Sequence, residues 1–183
     1  MGMDYYLIPD QETDCENEFP QGLSFFFEQV GGYNEHAEVA QVSRILQIDL
    51  SIFQQVSWEN DGLEADEGAD EPSTVWHHLD TVTAVVENFI TKIQQHPDYF
   101  TQVVHNPNRQ NDLNRLHHIL SNAPNEAAAI TGFKEVMTQP LHLYPPDYGY
   151  LSQGGLVADL HTLRQTLQCY RSCGVTSVQF LYM

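Results

Sequence analysis

The sequence predicts a helix-rich α+β fold, in a single domain that spans residues 1–183. Three observations predict it: β-prone segments at both ends of the chain, apolar residues that recur every three or four positions between them, and 42% hydrophobic residues in a chain of 183. A chain of this size and composition can bury one core without disulfide or metal support. We expect the two terminal strands to pair in one small sheet, with helices packed over a face.

The first third of the chain is predicted to begin with a strand, which short helices follow. Residues 3–8 are rich in strand-favouring side chains and stop at Pro9, whereas Gly31-Gly32 is a natural helix stop. Asp49 is well placed to cap a short helix. The predicted elements are a strand at 3–8, an acidic loop at 10–20, an aromatic-rich helix or turn at 23–30, a helix at 36–47 and a short helix after residue 49.

Residues 59–73 are predicted to form a mobile acidic surface loop. The stretch 59–72 contains seven carboxylates, two glycines and one proline, so it cannot bury itself. It is not an EF-hand calcium loop, because neither Gly62 nor Gly68, set at the sixth position, places a glutamate at the twelfth. Weak cation binding there stays physically reasonable.

The remainder of the chain is predicted to be mostly helical. Apolar residues between Leu79 and Ile93 step three and four positions along one face, with Ser73 or Thr74 as a cap and His96-Pro97 as the end. The further predicted elements are helices at 112–121, 126–137 and 156–172, an irregular stretch at 140–149 and a closing strand at 176–182.

The three cysteines, Cys15, Cys169 and Cys173, are expected to be reduced thiols. Their odd number argues against a disulfide framework and fits a cytosolic protein. The N-terminus also lacks the positive charges and the apolar block of a secretory signal, so we expect a cytoplasmic protein. Cys169 and Cys173 share a helix face, but no neighbouring Cys or His completes a metal site.

The net charge of −18 is distributed unevenly, which limits the classes of partner. Residues 1–72 carry 17 carboxylates and one cation, Arg44, whereas the rest of the chain carries 8 carboxylates and 6 cations. An acidic half repels phosphate backbones and anionic lipids, so nucleic acids and membranes are not expected partners. A basic protein or peptide is the partner that this charge favours.

Nine histidines supply candidate metal ligands, although the sequence shows no nucleotide-binding, hydrolase or zinc-protease motif. Adjacent histidines on a helix diverge by about 100°, so each His-His pair offers one imidazole to a site. His78, His118 and His161 are the candidates for a metal site between helices, and satisfied or surface histidines are the alternative. We expect no other cofactor.

Two further groups of residues could carry function. Asp159, His161 and Arg164 lie close together in sequence and could perform acid–base chemistry in a cleft, although surface ion pairing also accounts for them. Exposed aromatic residues beside carboxylates suit a protein partner. The candidate binding residues are Trp76, His77, Tyr144, Tyr148, Glu64, Asp66 and Glu67.

Four features occur in an order that suggests a family. They are Met1-Gly2-Met3 before an aromatic strand, Trp76-His77-x-Leu79 opening a helix, Tyr144-Pro145-Pro146, and Tyr170-Arg171-x-x-Gly174 before an apolar last strand. In this order they resemble the YfbM-like proteins of bacteria. The resemblance implies a small α/β fold and no particular activity. The long acidic loop and the lack of Leu-Leu-Thr-Gly after Leu79 depart from that family. Trp76, His77 and Tyr144 are the matching positions.

The function that these features favour is a non-enzymatic, cytoplasmic protein-interaction module. Its acidic half and exposed aromatics would bind a basic partner, and an immunity-type role against a basic toxin is one form of this hypothesis. The alternative is a small metal-dependent enzyme with a site of histidines and carboxylates.

Overall fold

The C-terminal strand β4 (Ser177–Tyr182) lies inside the sheet and pairs with every other strand that the structure describes. The structure is a computed structural model, which describes residues 5–16, 19–28, 35, 37–58, 74–104, 109–137 and 148–182. On one side β4 pairs antiparallel with β1 (Tyr5–Pro9). On the other side it pairs antiparallel with β3 (Trp76–His78) and, further along, parallel with β2 (Ser57–Trp58).

The register gives the sheet one buried face and one outer face. Leu7 lies opposite Phe180, and His77 lies opposite Val178; all four side chains are buried. Because side chains alternate along a strand, the intervening residues point away from the core. This outer face carries Tyr6, Ile8, Trp76, His78, Gln179 and Leu181.

The helices follow the predicted order closely. The 3₁₀ helices Ser51–Gln54 and Tyr99–Gln102 lie between them. The α-helices are α1 (Gln21–Phe27), α2 (Glu38–Leu46), α3 (Leu79–Gln95), α4 (Arg109–Asn122), α5 (Glu126–Met137), α6 (Tyr148–Ser152) and α7 (Gly155–Ser172).

The two longest helices, α3 and α7, pack against each other and bury the apolar stripes that the sequence predicts. The buried positions are Val82, Val86, Phe89 and Ile93 on α3, and Leu156, Leu160, Leu163, Leu167 and Tyr170 on α7. The Tyr170 hydroxyl also donates a hydrogen bond of 2.9 Å to the Leu7 carbonyl oxygen, which ties α7 to β1. The predicted α+β fold with a small sheet that includes both terminal strands is therefore confirmed.

Phenylalanine rings fill the space between the helices and the sheet. Phe27 stacks on Phe53 with ring centroids 4.3 Å apart, and Phe53 lies 5.4 Å from Phe180 of β4. Phe26 contacts Phe89 of α3 at 6.3 Å. This aromatic cluster joins α1, a 3₁₀ helix, α3 and the sheet in one core.

One local expectation meets a different outcome, and a second lies outside the described residues. Trp76–His78 form a strand, so α3 begins at Leu79, and the prediction that Ser73 or Thr74 caps it is wrong. The pairing with β4 provides backbone hydrogen bonds that the helical pattern of the sequence cannot show. The predicted acidic loop at 59–73 lies outside the described residues. Across the residues that the structure does describe, no helix is long and apolar enough to cross a bilayer.

Candidate functional site

Three cysteines meet where the loop after β1 contacts the end of α7. Cys15 and Cys169 form a disulfide with their Cα atoms 6.0 Å apart, and the Sγ of Cys173 lies 3.6 Å from the Sγ of Cys15. The expectation of three separate reduced thiols is therefore wrong. The reason is the long sequence separation of 154 residues, since only the fold brings Cys15 to α7.

The local structure of α7 presents Cys169 and Cys173 on the same side. They are four residues apart, which places them on one face of the helix, and Cys173 is the C-cap residue. The chain then turns at Gly174, whose φ of +84° lies in the left-handed region that favours glycine. This turn leads towards β4, which begins at Ser177.

Hydrogen bonds fasten the loop of Cys15 to this end of α7 independently of the disulfide. Gln11 donates from Nε2 to the carbonyl oxygen of Cys173 at 2.8 Å. Asp10 accepts from the hydroxyl of Thr176 at 2.6 Å and from the backbone N–H of Ser177 at 2.9 Å. The hydrogen bond from Thr176 is the main cause that holds the pKa of Asp10 below its usual value.

The site is open to solvent and acidic. Cys173 is exposed, whereas Cys15 and Cys169 are half-buried. Glu12, Asp14 and Glu16 are exposed in the same loop as Cys15. An open cavity of about 640 Å³ lies along this loop, lined by Pro9, Gln11, Glu12, Thr13 and Asp14.

This arrangement permits two kinds of sulfur chemistry. A thiol in contact with a disulfide can exchange with it, because the thiolate attacks one sulfur and displaces the other. Three sulfurs that all lie within 4.8 Å of one another can also hold a metal ion once they are reduced. Within the described ranges this is the one group of three or more His, Cys, Asp or Glu residues that meets such a distance criterion.

Trp76 lies on the outer face of the sheet. In the register it lies opposite Gln179 of β4, which in turn lies opposite Ile8 of β1, so the three side chains form a row across the sheet. The indole is 45% exposed, whereas Ile8 and Gln179 are half-buried. Trp76 thus offers a large amphipathic contact surface at the edge of the fold.

His77 points in the opposite direction, into the core. It is only 8% exposed, its ring lies 5.6 Å from the ring of Phe180, and Nε2 donates to the carbonyl oxygen of Gln55 at 3.2 Å. These contacts give His77 a structural role between β3 and the segment before β2.

Asp159 and Arg164 contact different partners on different elements. Asp159 accepts a hydrogen bond of 3.0 Å from the hydroxyl of Tyr150 on α6. Arg164 instead pairs with Glu87 of α3 at 3.6 Å. His161 is half-buried on α7 and lies two residues from Asp159, so the two side chains leave the helix in different directions.

The candidate histidine ligands lie on three separate elements. His78 is exposed at the end of β3, His118 is exposed on α4, and His161 is half-buried on α7. Among the residues with described positions, no set of three such ligands includes a histidine. The structure therefore does not bring these three imidazoles together.

The remaining candidate binding residues receive little or no structural description. Tyr144, Glu64, Asp66 and Glu67 lie outside the described residues, and Tyr148 is the first residue of α6.

Comparisons with protein-family models, with curated proteins and with solved structures find no match to this chain. Its function must therefore be inferred from its own residues.

Proposed function

We propose that this protein is a non-enzymatic interaction module that binds a basic protein or peptide through the outer face of its sheet. The observation that supports the proposal best is the exposure of Trp76. A tryptophan that leaves 45% of its surface in water at the edge of a sheet contributes little to the core. Tryptophan is also among the residue types that are enriched where side chains dominate binding energy.

The neighbours of Trp76 make this face suitable for a partner. Ile8 and Gln179 continue its row across the sheet, and Tyr6 lies opposite Leu181 in the next outward-facing row. These four side chains are half-buried and lie to one side of the exposed indole, which they extend with mixed apolar and polar surface. An exposed aromatic anchor beside such a surface is suited to contact with a protein partner.

The charge of the chain selects the class of partner. The first 72 residues carry 17 carboxylates against one cation, and part of this charge reaches the surface at the exposed Glu12, Asp14 and Glu16. Such a field accelerates association with a basic partner and repels acidic ones. An immunity-type role against a basic toxin, in the cytoplasm of a bacterium, is the form of this function that we favour.

The test is a pull-down at low salt with the immobilised 183-residue chain, followed by affinity measurements on any saturable partner. The Trp76→Ala variant should weaken binding about tenfold or more, because loss of an aromatic anchor costs at least about 1–2 kcal/mol. Phe25→Ala is the matched control, since Phe25 is also an exposed aromatic residue, 37% accessible, but lies on α1.

Three results would contradict the proposal. The first is the absence of any saturable partner at low salt. The second is equal binding by the Trp76→Ala variant and the native chain, and the third is an affinity that does not fall as salt is raised. The alternative, a metal-dependent enzyme built on His78, His118 and His161, has no supporting observation among the described residues.

A further inference from the structure

We propose that Cys15, Cys169 and Cys173 form a redox-gated site for one thiophilic metal ion such as Zn²⁺. In the oxidised chain, the disulfide occupies two of the three sulfurs and closes the site. In the reduced chain, the three thiolates bind the ion together. The proposal rests on the convergence of all three Sγ atoms within 4.8 Å, at a solvent-accessible position.

The sulfur positions already approach those of a metal site. Zinc–sulfur bonds of about 2.3 Å in tetrahedral geometry place two sulfurs about 3.8 Å apart. The Sγ atoms of Cys15 and Cys173 are 3.6 Å apart. The sulfurs of Cys15 and Cys169 are bonded in the oxidised chain and must move apart. Once that bond is broken, rotation about their Cα–Cβ bonds is enough to bring them to the separation of about 3.8 Å that zinc requires.

The opening step requires an external thiol reductant. A dithiol, or two monothiols, gives up two electrons and two protons and becomes a disulfide, while the S–S bond between Cys15 and Cys169 breaks and both residues become thiols. The free thiol of Cys173 does not change in this step. Binding of the ion then displaces the thiol protons to solvent, because thiolates are the metal ligands.

The site keeps its geometry when the disulfide is open. Gln11 still holds the carbonyl oxygen of Cys173, and Asp10 still holds Thr176 and Ser177 through side-chain oxygens. These contacts attach the loop on both sides of the turn at the end of α7. Cys15 therefore stays near its partners without the covalent bond, which lowers the entropic cost of forming a three-ligand site.

The electrostatic surroundings favour the reduced site with a bound cation over the same three thiolates without one. Glu12, Asp14 and Glu16 are exposed in the loop that carries Cys15, so their negative potential attracts a divalent ion. Three protein ligands leave the fourth tetrahedral position to water or to an external ligand. The exposure of Cys173 gives that position access to solvent.

The reducing cytosol that we propose for this protein would populate the open form. Disulfides are rare in that compartment, and those that occur there are usually catalytic or redox-sensing. A disulfide in contact with a third thiol fits that description, because the sulfurs are accessible to an external thiol.

The experiment uses Co²⁺ as a spectroscopic probe of the 183-residue chain. The protein is reduced, and the reductant is then removed under anaerobic conditions. The reduced protein is titrated with Co²⁺ while the sulfur-to-cobalt charge-transfer band is recorded in the near ultraviolet. We expect one Co²⁺ per reduced chain, displaced by Zn²⁺, and no such band from the oxidised chain. Thiol titration before each experiment verifies the oxidation state.

Two variants test whether the cysteines, rather than the histidines, bind the ion. Cys173→Ser keeps the disulfide in the oxidised chain, so its fold can be verified there, and after reduction it should bind Co²⁺ at least about 100-fold more weakly. His118→Ala removes an exposed candidate ligand on α4 and should bind like the native chain.

Three outcomes would overturn the proposal. They are the absence of a charge-transfer band in reduced, folded protein, an equal band in the oxidised chain, and binding that survives Cys173→Ser but is lost in His118→Ala. The last result would move the metal site to the histidines.

Discussion

The hydroxyl of Tyr150 donates a hydrogen bond of 3.0 Å to Asp159, and the pair lies directly against the backbone of Gly22. Burial, followed by the charge of Asp159, raises the pKa of Tyr150 far above its ordinary value, so the phenol stays protonated as a donor. Asp159 is the one carboxylate among the acid–base candidates Asp159, His161 and Arg164, and this contact uses it to link α7 to α6. It also explains why α1 carries a glycine at this position.

The Gly22→Ala substitution tests this close approach. A Cβ atom at Gly22 would overlap both Oδ2 of Asp159 and the ring of Tyr150. Helix propensity alone predicts a gain of up to about 1 kcal/mol, whereas overpacking of this kind costs about 1–3 kcal/mol. We expect the free energy of unfolding to fall, as measured by urea denaturation.

A double-mutant cycle supplies the control for Gly22. In a Tyr150→Ala background the ring is gone, so the added methyl group should cost much less than in the native chain. Equal costs of Gly22→Ala in the two backgrounds would show that the ring is not the obstacle.

The disulfide should stabilise the fold, and only two of the three cysteines should matter for this. Cys15→Ser opens the bond to Cys169 and removes a link across 154 residues, with an expected loss of about 2–5 kcal/mol. It also removes the sulfur that Cys173 contacts, so no other disulfide to this loop can form. Cys173→Ser keeps the bond and serves as the matched control. Thermal melts with and without reductant should show a reductant effect in Cys173→Ser and none in Cys15→Ser.

The contact between Cys173 and Cys15 predicts exchange of the disulfide. Attack of the Cys173 thiolate on the Sγ of Cys15 forms a Cys15–Cys173 bond and releases Cys169 as a thiolate, with no net oxidation. Incubation at mildly alkaline pH, followed by an acid quench and alkylation, should therefore label Cys169 as well as Cys173.

Trypsin resolves the three cysteines, because the arginines at 44, 164 and 171 place them on separate peptides. In the Cys173→Ser variant, Cys169 should stay unlabelled, since no free thiol remains to attack. Label confined to Cys173 in the native chain after hours of incubation would exclude exchange.

Buried tyrosines predict a loss of stability at alkaline pH. Burial raises the pKa of Tyr170 to about 12, and burial is also the main cause that raises the pKa values of Tyr5, Tyr99 and Tyr150. An unfolded tyrosine titrates at about pH 10. As the pH rises, the unfolded chain loses these protons before the folded chain does. The stability that the protonated tyrosines contribute is therefore complete below about pH 10, and the free energy of unfolding should fall as the pH rises towards 12.

Tyr170→Phe measures the share of one such residue. Loss of its hydrogen bond to Leu7 should lower the stability at neutral pH by about 1 kcal/mol. Because one titrating phenol is gone, the decline of the melting temperature above about pH 10 should also be shallower. A Cys173→Ser background prevents disulfide exchange from obscuring the measurement, and a decline as steep as in the parent chain would contradict the assignment.

Asp10 predicts a second pH dependence, with the opposite sign. The hydrogen bond from Thr176 is the main cause that lowers the pKa of Asp10 in the folded chain, whereas an unfolded aspartate titrates near about 3.9. Its contribution to stability is therefore present above about pH 4 and is lost as the pH falls through the lower, folded pKa.

The Asp10→Asn variant checks this dependence. Its melting temperature should fall less between about pH 4 and pH 2 than that of the native chain, and Asp98→Asn, at another exposed carboxylate, is the control. Identical acid profiles for the native chain and Asp10→Asn would refute the role of Asp10.

Much of the fold was predictable because local patterns reflect burial. The apolar residues of α3 and α7 recur at the helical period, so their buried faces follow from spacing alone. The terminal strands were predictable because both ends of the chain are rich in strand-favouring residues. The sequence pattern instead places Trp76 and His77 at a helix start, because a three-residue strand has too few positions to show a period.

The sequence by itself determined the periods of hydrophobicity, the acidic half and the chemical inventory of three cysteines and nine histidines. Only the tertiary structure decided which of these side chains meet. Cys15 pairs with Cys169 across 154 residues, and neighbouring Trp76 and His77 point to opposite faces of the sheet. The physical reason is that periodicity reports each segment's contact with the core, whereas a contact between distant segments depends on how the chain closes.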